Sequence, residues 1–465
     1  MRSATAYRTA RDLITEVTGG HAAPSDIAAA VLTDVAALDP RLNCFAWFDP
    51  EAVMAQARAL DARIAKGEDV GALAGLPVAI KDLIAMKGAP TAFGSRLMAG
   101  NVIDADAPAT ERIRAAGAVL LGKSTTSEFG CKAVGDSPLT GITRNPWNPD
   151  CTPGGSSAGA AALAASGITP VAIGTDGGGS VRIPASLTGL FAIKAQFGRV
   201  PVWPVSATAS LAHVGPLSRD VRDSALMMAV VSGFDARDPA AVAGPLPDYL
   251  GACDRDPRGL RILYSETFGY ARPDAEVAAL CRKAMDRLAA LGCAVEERDF
   301  LFDDPADIWA SEFYSGVGTR LRDALATRPD EIDPGVAAEL RKALARDVPA
   351  YFTQVFERYA FRETVRALFE GFDAIAGPTL PVTAVPVGRD VPEGHGDRSP
   401  IDWVYYTYPF NLTGHPAVSI NAGFTAAGMP TGLQLVGRPL AEETLFTLAA
   451  AYQDADPERE RRPDL

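Results

Sequence analysis

The chain has 465 residues and a formal net charge of −13, which argues against a nucleic-acid backbone or an anionic membrane surface as its partner. Hydrophobic residues make up 48% and charged residues 22% of the sequence, a composition typical of a globular protein with a large core. Since no run of about 18 apolar residues occurs, no transmembrane helix is predicted.

The N-terminal part, residues 1–70, is predicted to be mostly helical. Apolar residues from Leu13 to Val17 repeat at helical spacing, and a second helical repeat follows Ser25, a candidate N-cap. A short strand over 43–48 and a third helix over 50–66 follow. This part of the sequence carries no catalytic pattern.

Short apolar strands alternate with helices in the rest of the chain. Strands are predicted at 75–82, 118–121, 171–173, 191–193, 262–264, 294–296, 374–377, 417–420 and 433–436, and helices at 108–116, 157–165, 221–231, 276–291 and 442–452. This alternation predicts an α/β fold in which helices cover both faces of a sheet. Residues 304–370 are predicted to be a helical, cap-like insertion. No long linker divides the sequence, so we expect a single domain over 1–465.

Two motif matches are poor candidates for a site. Residues 117–124 (GAVLLGKS) have P-loop spacing, but Ala-Val-Leu-Leu favours a buried strand ending at Gly122 over an open phosphate-binding turn. Residues 155–159 (GSSAG) match the serine elbow of hydrolases, but no strand precedes them. The chain has only 4 histidines, and none is well placed to act as a base.

A second glycine-rich turn, residues 174–184 (GTDGGGSVRIP), is a better candidate. Gly177, Gly178 and Gly179 precede Ser180, and backbone amides without Cβ atoms beside them can converge on one point. An oxyanion hole requires such fixed donors. A phosphate-binding turn or a purely structural turn would have the same pattern, so the motif alone leaves these alternatives open.

Lys81 is the candidate base for Ser180. The chain has only 8 lysines among its 44 basic residues, and Lys81 follows the apolar stretch 76–80. Burial lowers the pKa of an amine, and a neutral amine acts as a general base at neutral pH. The structural alternative is an ion pair between Lys81 and Asp82 at the end of the strand.

Taken together, Lys81, residues 154–159 (GGSSAG) and residues 174–184 resemble the amidase signature family. The similarity covers a signature core over 75–201 and continues weakly into 408–417 (YPFNLTGHPA) and 432–437 (GLQLVG). The resemblance implies the amidase signature fold, with a large mixed central β-sheet. It also implies a serine amidohydrolase that cleaves the C–N bond of a carboxamide through an acyl-enzyme.

The resemblance further implies a Ser–cis-Ser–Lys triad. Ser180 would be the nucleophile, Ser156 the relay serine after a cis peptide bond from Gly155, and Lys81 the base. The backbone N–H groups of residues 177–180 would form the oxyanion hole.

Four supporting residues follow the same family pattern. Asp176 and Arg182 are expected to pair and hold the turn, with a grip of Arg182 on a substrate carboxylate as the weaker alternative. Ser157 and Thr175 are expected to orient Ser156 and the amine.

Two functions remain open, since the presence of Lys81, Ser156 and Ser180 argues against a third, a catalytically silent ligand-binding relative. The first is a free-standing amidase that acts on a small-molecule amide, with no cofactor, metal, nucleic acid or membrane involved and with a homodimer left open. The alternative is a glutaminase-type A subunit of an amidotransferase, although residues 310–380 show little of that subunit's pattern. The 6 cysteines lack disulfide or metal spacing, so a reducing, cytoplasmic location is expected.

The substrate cannot be deduced from these motifs. Loops near 128–151, 309–316 and 402–410 are expected to shape the pocket. The aromatic residues of 403–408 would form either an apolar pocket wall or part of the core.

Overall fold

The computed structural model describes residues 2–465 of the chain. Its helices are α1 (Ala10–Thr18), α2 (Pro24–Leu42), α3 (Pro50–Ala65), α4 (Pro108–Ala115), α5 (Ala158–Ala165), α6 (Arg182–Thr188), α7 (Val221–Val231), α8 (Tyr249–Ala252), α9 (Ala275–Ala290), α10 (Ala306–Thr327), α11 (Pro334–Leu344), α12 (Val348–Leu368), α13 (Pro409–Thr413) and α14 (Glu442–Asp454). None of the helices between residues 2 and 465 combines the length and the apolar character that a bilayer crossing requires.

The strands are β1 (Phe45–Phe48), β2 (Pro77–Lys81), β3 (Val119–Ser124), β4 (Asp136–Ser137), β5 (Gly141–Ile142), β6 (Val171–Asp176), β7 (Phe191–Lys194), β8 (His213–Ser218), β9 (Arg261–Tyr264), β10 (Ala294–Glu297), β11 (Ala374–Pro378), β12 (Ala417–Phe424) and β13 (Pro430–Gly437). Eleven of them form one sheet in the order β1-β3-β2-β6-β8-β7-β12-β13-β11-β9-β10, and β4 and β5 form a separate pair. We infer a single domain, because this sheet collects strands from Phe45 to Gly437.

The large sheet is mixed. Strand β2 runs parallel to both β3 and β6, whereas β8 is antiparallel to β6 and β7. At the far end, β9 is parallel to β10 and β11, and β13 is antiparallel to β11 and β12. The predicted α/β fold with a mixed central sheet is therefore confirmed.

Side chains alternate between two apolar cores, one on each face of the sheet. In β9, Ile262 and Tyr264 belong to one core and Leu263 to the other, as the twofold repeat of a strand requires. The first core contains residues of α1–α3, α7, α9 and α14, and the second contains residues of α10–α12. Helices thus cover both faces, as predicted.

Strand β8 is the main element that the sequence pattern missed. Its sequence, HVGPLS, contains glycine and proline, which are typical of turns rather than strand interiors.

Two local predictions were also wrong. Helix α2 begins at Pro24 with Ala23 as its N-cap, so Ser25 lies inside the first turn. Strand β3 continues through Lys123 and Ser124 rather than ending at Gly122.

Candidate active site

Lys81 lies at the carboxyl end of β2 with its side chain fully buried. Its Nζ lies 2.7 Å from Ser156 Oγ, 2.9 Å from Ser157 Oγ and 2.8 Å from Thr175 Oγ1. Burial lowers the pKa of Lys81 well below its usual value, an effect that the charge of Asp176 only partly offsets. The surroundings therefore favour the uncharged amine.

The alternative ion pair between Lys81 and Asp82 does not form. Asp82 accepts hydrogen bonds from the backbone amides of Ala92 and Gly94, at 3.1 and 3.2 Å. Its Oδ1 lies 3.4 Å from Nζ of Lys123, the lysine of the P-loop match. Lys123 is therefore a structural cation inside a β-strand, and Lys81 has no ion-pair partner within residues 2–465.

Ser156 and Ser180 line one cavity. The Gly155–Ser156 peptide bond is cis, and Ser180 lies in the turn between β6 and α6. The backbone amide of Ser157 donates to the carbonyl of Ser180 at 3.2 Å, which joins the two serine segments. Both serines line the same cavity, and the Ser180 hydroxyl has no hydrogen-bond partner within residues 2–465.

The amides of the glycine turn differ in their partners. Those of Gly177, Gly178 and Ser180 have no acceptor within residues 2–465. The Gly179 amide donates to Asp176 Oδ1 at 2.8 Å. The sequence-based assignment of Gly179 to the oxyanion hole therefore needs correction, because a carboxylate already occupies this donor.

Two distant side chains hold the carbonyl groups of the turn. Trp309 Nε1, on α10, donates to the Gly177 carbonyl at 2.8 Å, and Thr407 Oγ1 donates to the Gly178 carbonyl at 2.6 Å. The N–H and C=O of one planar peptide unit point to opposite sides. Trp309 therefore fixes the direction in which the Gly178 amide points.

Asp176 and Arg182 form a fully buried pair. Arg182 Nε donates to Asp176 Oδ2 at 3.0 Å, and Nη2 donates to Oδ1 at 2.9 Å. This pairing keeps the pKa of Asp176 well below its usual range despite its burial. The remaining guanidinium donors reach Thr407 O, Asn411 Oδ1 and Gln434 Oε1, so Arg182 is not free to grip a substrate.

Comparison with known proteins decides the family, since the family model "Amidase" matches residues 26–446. The chain belongs to the amidase family. This amidase is 37% identical to the A subunit of the glutamyl-tRNA(Gln) amidotransferase of Roseiflexus sp. (strain RS-1), over 94% of both chains. It is 33% identical to the acylamidase of Rhodococcus erythropolis, over 98% of this chain and 97% of that protein.

A solved structure of a bacterial aryl acylamidase of the amidase signature family is also similar. It superimposes with a TM-score of 0.92 at 29% identity and covers 98% of this chain and 97% of that one. The chain is therefore an amide-hydrolysing enzyme of the amidase signature type, as its motifs predicted.

The cavity of this amidase measures about 430 Å³ and is mainly apolar. Its larger apolar side chains are Leu83, Ile84, Phe93, Met98, Ile103, Phe129, Trp203, Val205, Phe313, Val317 and Leu321. The charged side chains in its wall are Asp176, which Arg182 neutralises, and Arg320. The aromatic side chains of 403–408 are fully buried in the second core and do not line the cavity.

Sequence reasoning missed several residues of this site. The segment 201–208, between β7 and β8, forms one wall of the cavity although it carries no catalytic motif. Its composition, PVWPVSAT, is the one local signal that could have indicated an apolar wall. Trp309 and Thr407 lie 132 and 229 positions from the glycines that they hold, so no local pattern relates them to the turn.

Proposed function

We propose that the chain hydrolyses small amides with an apolar group beside the scissile bond, through an acyl-enzyme on Ser180. The neutral amine of Lys81 accepts the proton of the Ser156 hydroxyl, which in turn accepts that of Ser180. Ser180 Oγ then attacks the amide carbon, and the oxyanion accepts hydrogen bonds from the amides of Gly177, Gly178 and Ser180.

The same proton path operates in reverse when the C–N bond breaks. Ser156 donates a proton to the leaving nitrogen and regains one from the Lys81 ammonium, so the amine departs as a neutral molecule. Water then attacks the acyl group under the same base and releases the acid. No group outside the chain, the substrate and water is needed to balance these steps.

The observation that carries this proposal is the contact of Lys81 Nζ with three hydroxyls and with no carboxylate of residues 2–465. The Ser157 hydroxyl donates to the Thr175 carbonyl at 3.2 Å, so toward Lys81 it can only accept. A neutral amine has two N–H groups and one lone pair. With the two N–H groups directed to Ser157 and Thr175, the lone pair faces Ser156 Oγ at 2.7 Å.

The substrate class follows from the cavity wall. Glutamine carries a free ammonium, and burying this group without an anionic partner is costly. The charged residues of the cavity wall are Arg320 and Asp176, and Asp176 is paired with Arg182. The large side chains that line the cavity are apolar. These surroundings favour alkyl or aryl amides over glutamine.

The function as the glutaminase of an amidotransferase is the second candidate, favoured by the similarity to the Roseiflexus protein. Activity assays on the purified single chain distinguish the two functions. We expect it to release p-nitroaniline from an acyl p-nitroanilide and to release little ammonia from glutamine. If glutamine is turned over faster than the anilide, the glutaminase function becomes the first candidate.

Replacement of the nucleophile tests the mechanism directly. Ser180→Ala should lower kcat by about four orders of magnitude, because the attacking oxygen is lost. Ser25→Ala, on α2 and away from the cavity, is the matched control. A fluorophosphonate should label Ser180 in the unmodified enzyme, as detected by peptide mass spectrometry. Label on another serine, or a retained rate in Ser180→Ala, would refute the assignment.

We also propose that the enzyme works in a reducing compartment such as the cytoplasm. Its six cysteines are buried and unpaired within residues 2–465, which supports this proposal. The homodimer stays a prediction.

A further inference from the structure

One face of α10 forms a continuous wall of the cavity. Phe313, Val317 and Leu321 are spaced four residues apart, and Arg320 comes three residues after Val317, so all four lie along one side of the helix. The Phe313 ring lies against the catalytic turn, since its Cε2 is 2.9 Å from where a Cβ on Gly177 would stand. Arg320 follows seven residues later, about 10 Å further along the helix axis.

Arg320 has no acidic partner. It forms no ion pair within residues 2–465, and its Nη2 donates to the Val205 carbonyl at 3.0 Å. The nearby Arg322 pairs with Asp323, at 3.7 Å. The other charged wall residue, Asp176, is fully buried and neutralised by Arg182. Arg320 is thus a solvent-exposed cation at the edge of the cavity, without an acidic partner among the described residues.

The wall next to Arg320 is held in place by close packing. Gly316 lies so close to the 205–208 segment that a Cβ on it would stand 2.0 Å from the Ala207 carbonyl oxygen. The hydroxyls of Ser206 and Thr208 lie 3.1 Å apart on this segment, and both residues line the cavity. Thr208 lies beside the catalytic turn, since its Oγ1 is 3.7 Å from where a Cβ on Gly177 would stand, whereas Arg320 is exposed seven residues beyond Phe313.

We propose that Arg320 forms an anion subsite at the outer end of this cavity and binds a carboxylate on the substrate. This inference rests on the proposed function and narrows it to amides whose apolar stem ends in a carboxylate. The guanidinium fork matches the geometry of a carboxylate, and the apolar wall before it matches the stem. The positive charge of Arg320 disfavours a substrate whose stem ends in a cation.

Matched substrate pairs test the subsite. For the acyl side, we suggest the mono-p-nitroanilide of suberic acid against octanoyl p-nitroanilide. For the amine side, 8-acetamidooctanoate is compared with N-octylacetamide. The readout is the ratio of kcat/KM for the anionic member to that for the neutral member. Arg320→Gln keeps a donor for the Val205 carbonyl but removes the charge, and Arg322→Gln is the control on the same helix.

In at least one pair, Arg320→Gln should lower this ratio about tenfold, as expected for loss of a charged hydrogen bond. Arg322→Gln should leave it unchanged. In the unmodified enzyme, KM for the anionic member of that pair should rise with ionic strength, because salt screens the guanidinium.

Three results would overturn the inference. If both ratios stay within twofold in Arg320→Gln while the neutral amides are hydrolysed, the subsite is wrong and the proposed function stands. If the unmodified enzyme hydrolyses none of the four amides, the proposed function fails and the subsite fails with it. Since salt dependence is measured on the unmodified enzyme, a KM insensitive to salt also counts against the subsite, even if Arg320→Gln folds poorly.

Discussion

Four buried lysines in this chain differ in what surrounds the amine. Lys81 Nζ contacts three hydroxyls and, at 3.5 Å, the Thr175 carbonyl, and burial lowers its pKa well below the usual value. Lys123 has one carboxylate neighbour, Asp82, which limits the effect of burial, and its pKa falls to about 8. Lys132 contacts three carboxylates, which outweigh burial and raise its pKa. Lys194 is also buried without a carboxylate contact in the described part of the chain and its pKa is likewise lowered by burial, but its Nζ donates to the carbonyls of Ala195 and His415. The contacts of Lys81 with three hydroxyls, rather than burial itself, therefore distinguish the candidate base.

The pH dependence of turnover tests the protonation state of Lys81. The base must be uncharged, so kcat/KM should rise with pH through the lowered pKa of Lys81 and level off above it. Lys81→Ala should reduce kcat at neutral pH by about three orders of magnitude, within the range for loss of a general base. Higher pH should partly restore the rate, because hydroxide then replaces the amine.

Lys87→Ala serves as the control, since this lysine is exposed and pairs with Asp104 at 3.4 Å. A pH profile for Lys81→Ala that parallels that of the unmodified enzyme would show that another group titrates.

At the level of elements, α10 has two functions that its helical pattern does not reveal. Its first turns hold the catalytic turn through Trp309, and its later turns form the cavity wall through Val317 and Arg320. Gly178 lies against the indole, where a Cβ would stand 2.6 Å from Trp309 Cζ2. The helix therefore sets both the direction of the Gly178 amide and the shape of the space beyond it.

Trp309→Phe tests this coupling. The phenyl ring retains most of the packing but cannot donate to the Gly177 carbonyl, so the Gly178 amide should lose its fixed direction. We expect kcat to fall about tenfold, less than for complete loss of an oxyanion donor, with KM little changed. Steady-state kinetics with an acyl p-nitroanilide provides the measurement.

Trp403→Phe is the matched control, because Trp403 Nε1 donates to the Asp390 carbonyl and does not contact the catalytic turn. Equal loss of kcat in both variants would indicate a general effect of removing an indole. An increase in KM alone for Trp309→Phe would place the residue in substrate binding rather than in positioning.

For the whole molecule, the sequence predicted what local patterns encode. Ser156 and Ser180 each lie in a continuous glycine-rich segment, and Lys81 directly follows a continuous apolar segment. The candidate site could therefore be assembled from these local motifs. The alternation of short apolar strands with helices likewise predicted the layered sheet.

Features that depend on distant contacts could not be predicted. Strand β8 exists because it pairs with β6, and its own residues resemble a turn. Trp309 contacts Gly177 across 132 positions of the chain. The unpaired state of Arg320 likewise emerges only when the surrounding segments are folded around it. Tertiary packing decides these features, and neither propensity nor periodicity records it.

Lys132 illustrates how ion pairs connect distant parts of this fold. Its Nζ lies 2.9 Å from Asp136, 2.8 Å from Asp333 and 2.9 Å from Asp390, so it joins the β4 hairpin to the start of α11 and to the loop before α13. Asp333 also caps α11 through the amides of Gly335 and Val336. The ammonium of Lys132 thus holds three segments together, although the carboxylates of these segments repel one another.

Lys132→Met should therefore destabilise the fold by about 3 kcal/mol at neutral pH, because three carboxylates would remain without their cation. Chemical denaturation gives the free energy of unfolding. The pKa of Asp136 is already raised by burial, and loss of the cation should raise it further. A folded carboxyl group with a raised pKa binds protons more readily than the unfolded one, so the variant should regain stability as the pH falls toward 5.

Lys342→Met, on the exposed side of α11, should change the free energy of unfolding by less than about 0.5 kcal/mol at either pH. The cation of Lys132 itself stabilises the fold fully below the ordinary lysine pKa, and this contribution is lost only as the pH rises through its raised value. The unmodified enzyme should therefore keep this contact in mildly alkaline buffer. A loss of stability in Lys132→Met that is the same at pH 7 and pH 5 would mean that packing, rather than charge, makes this residue important.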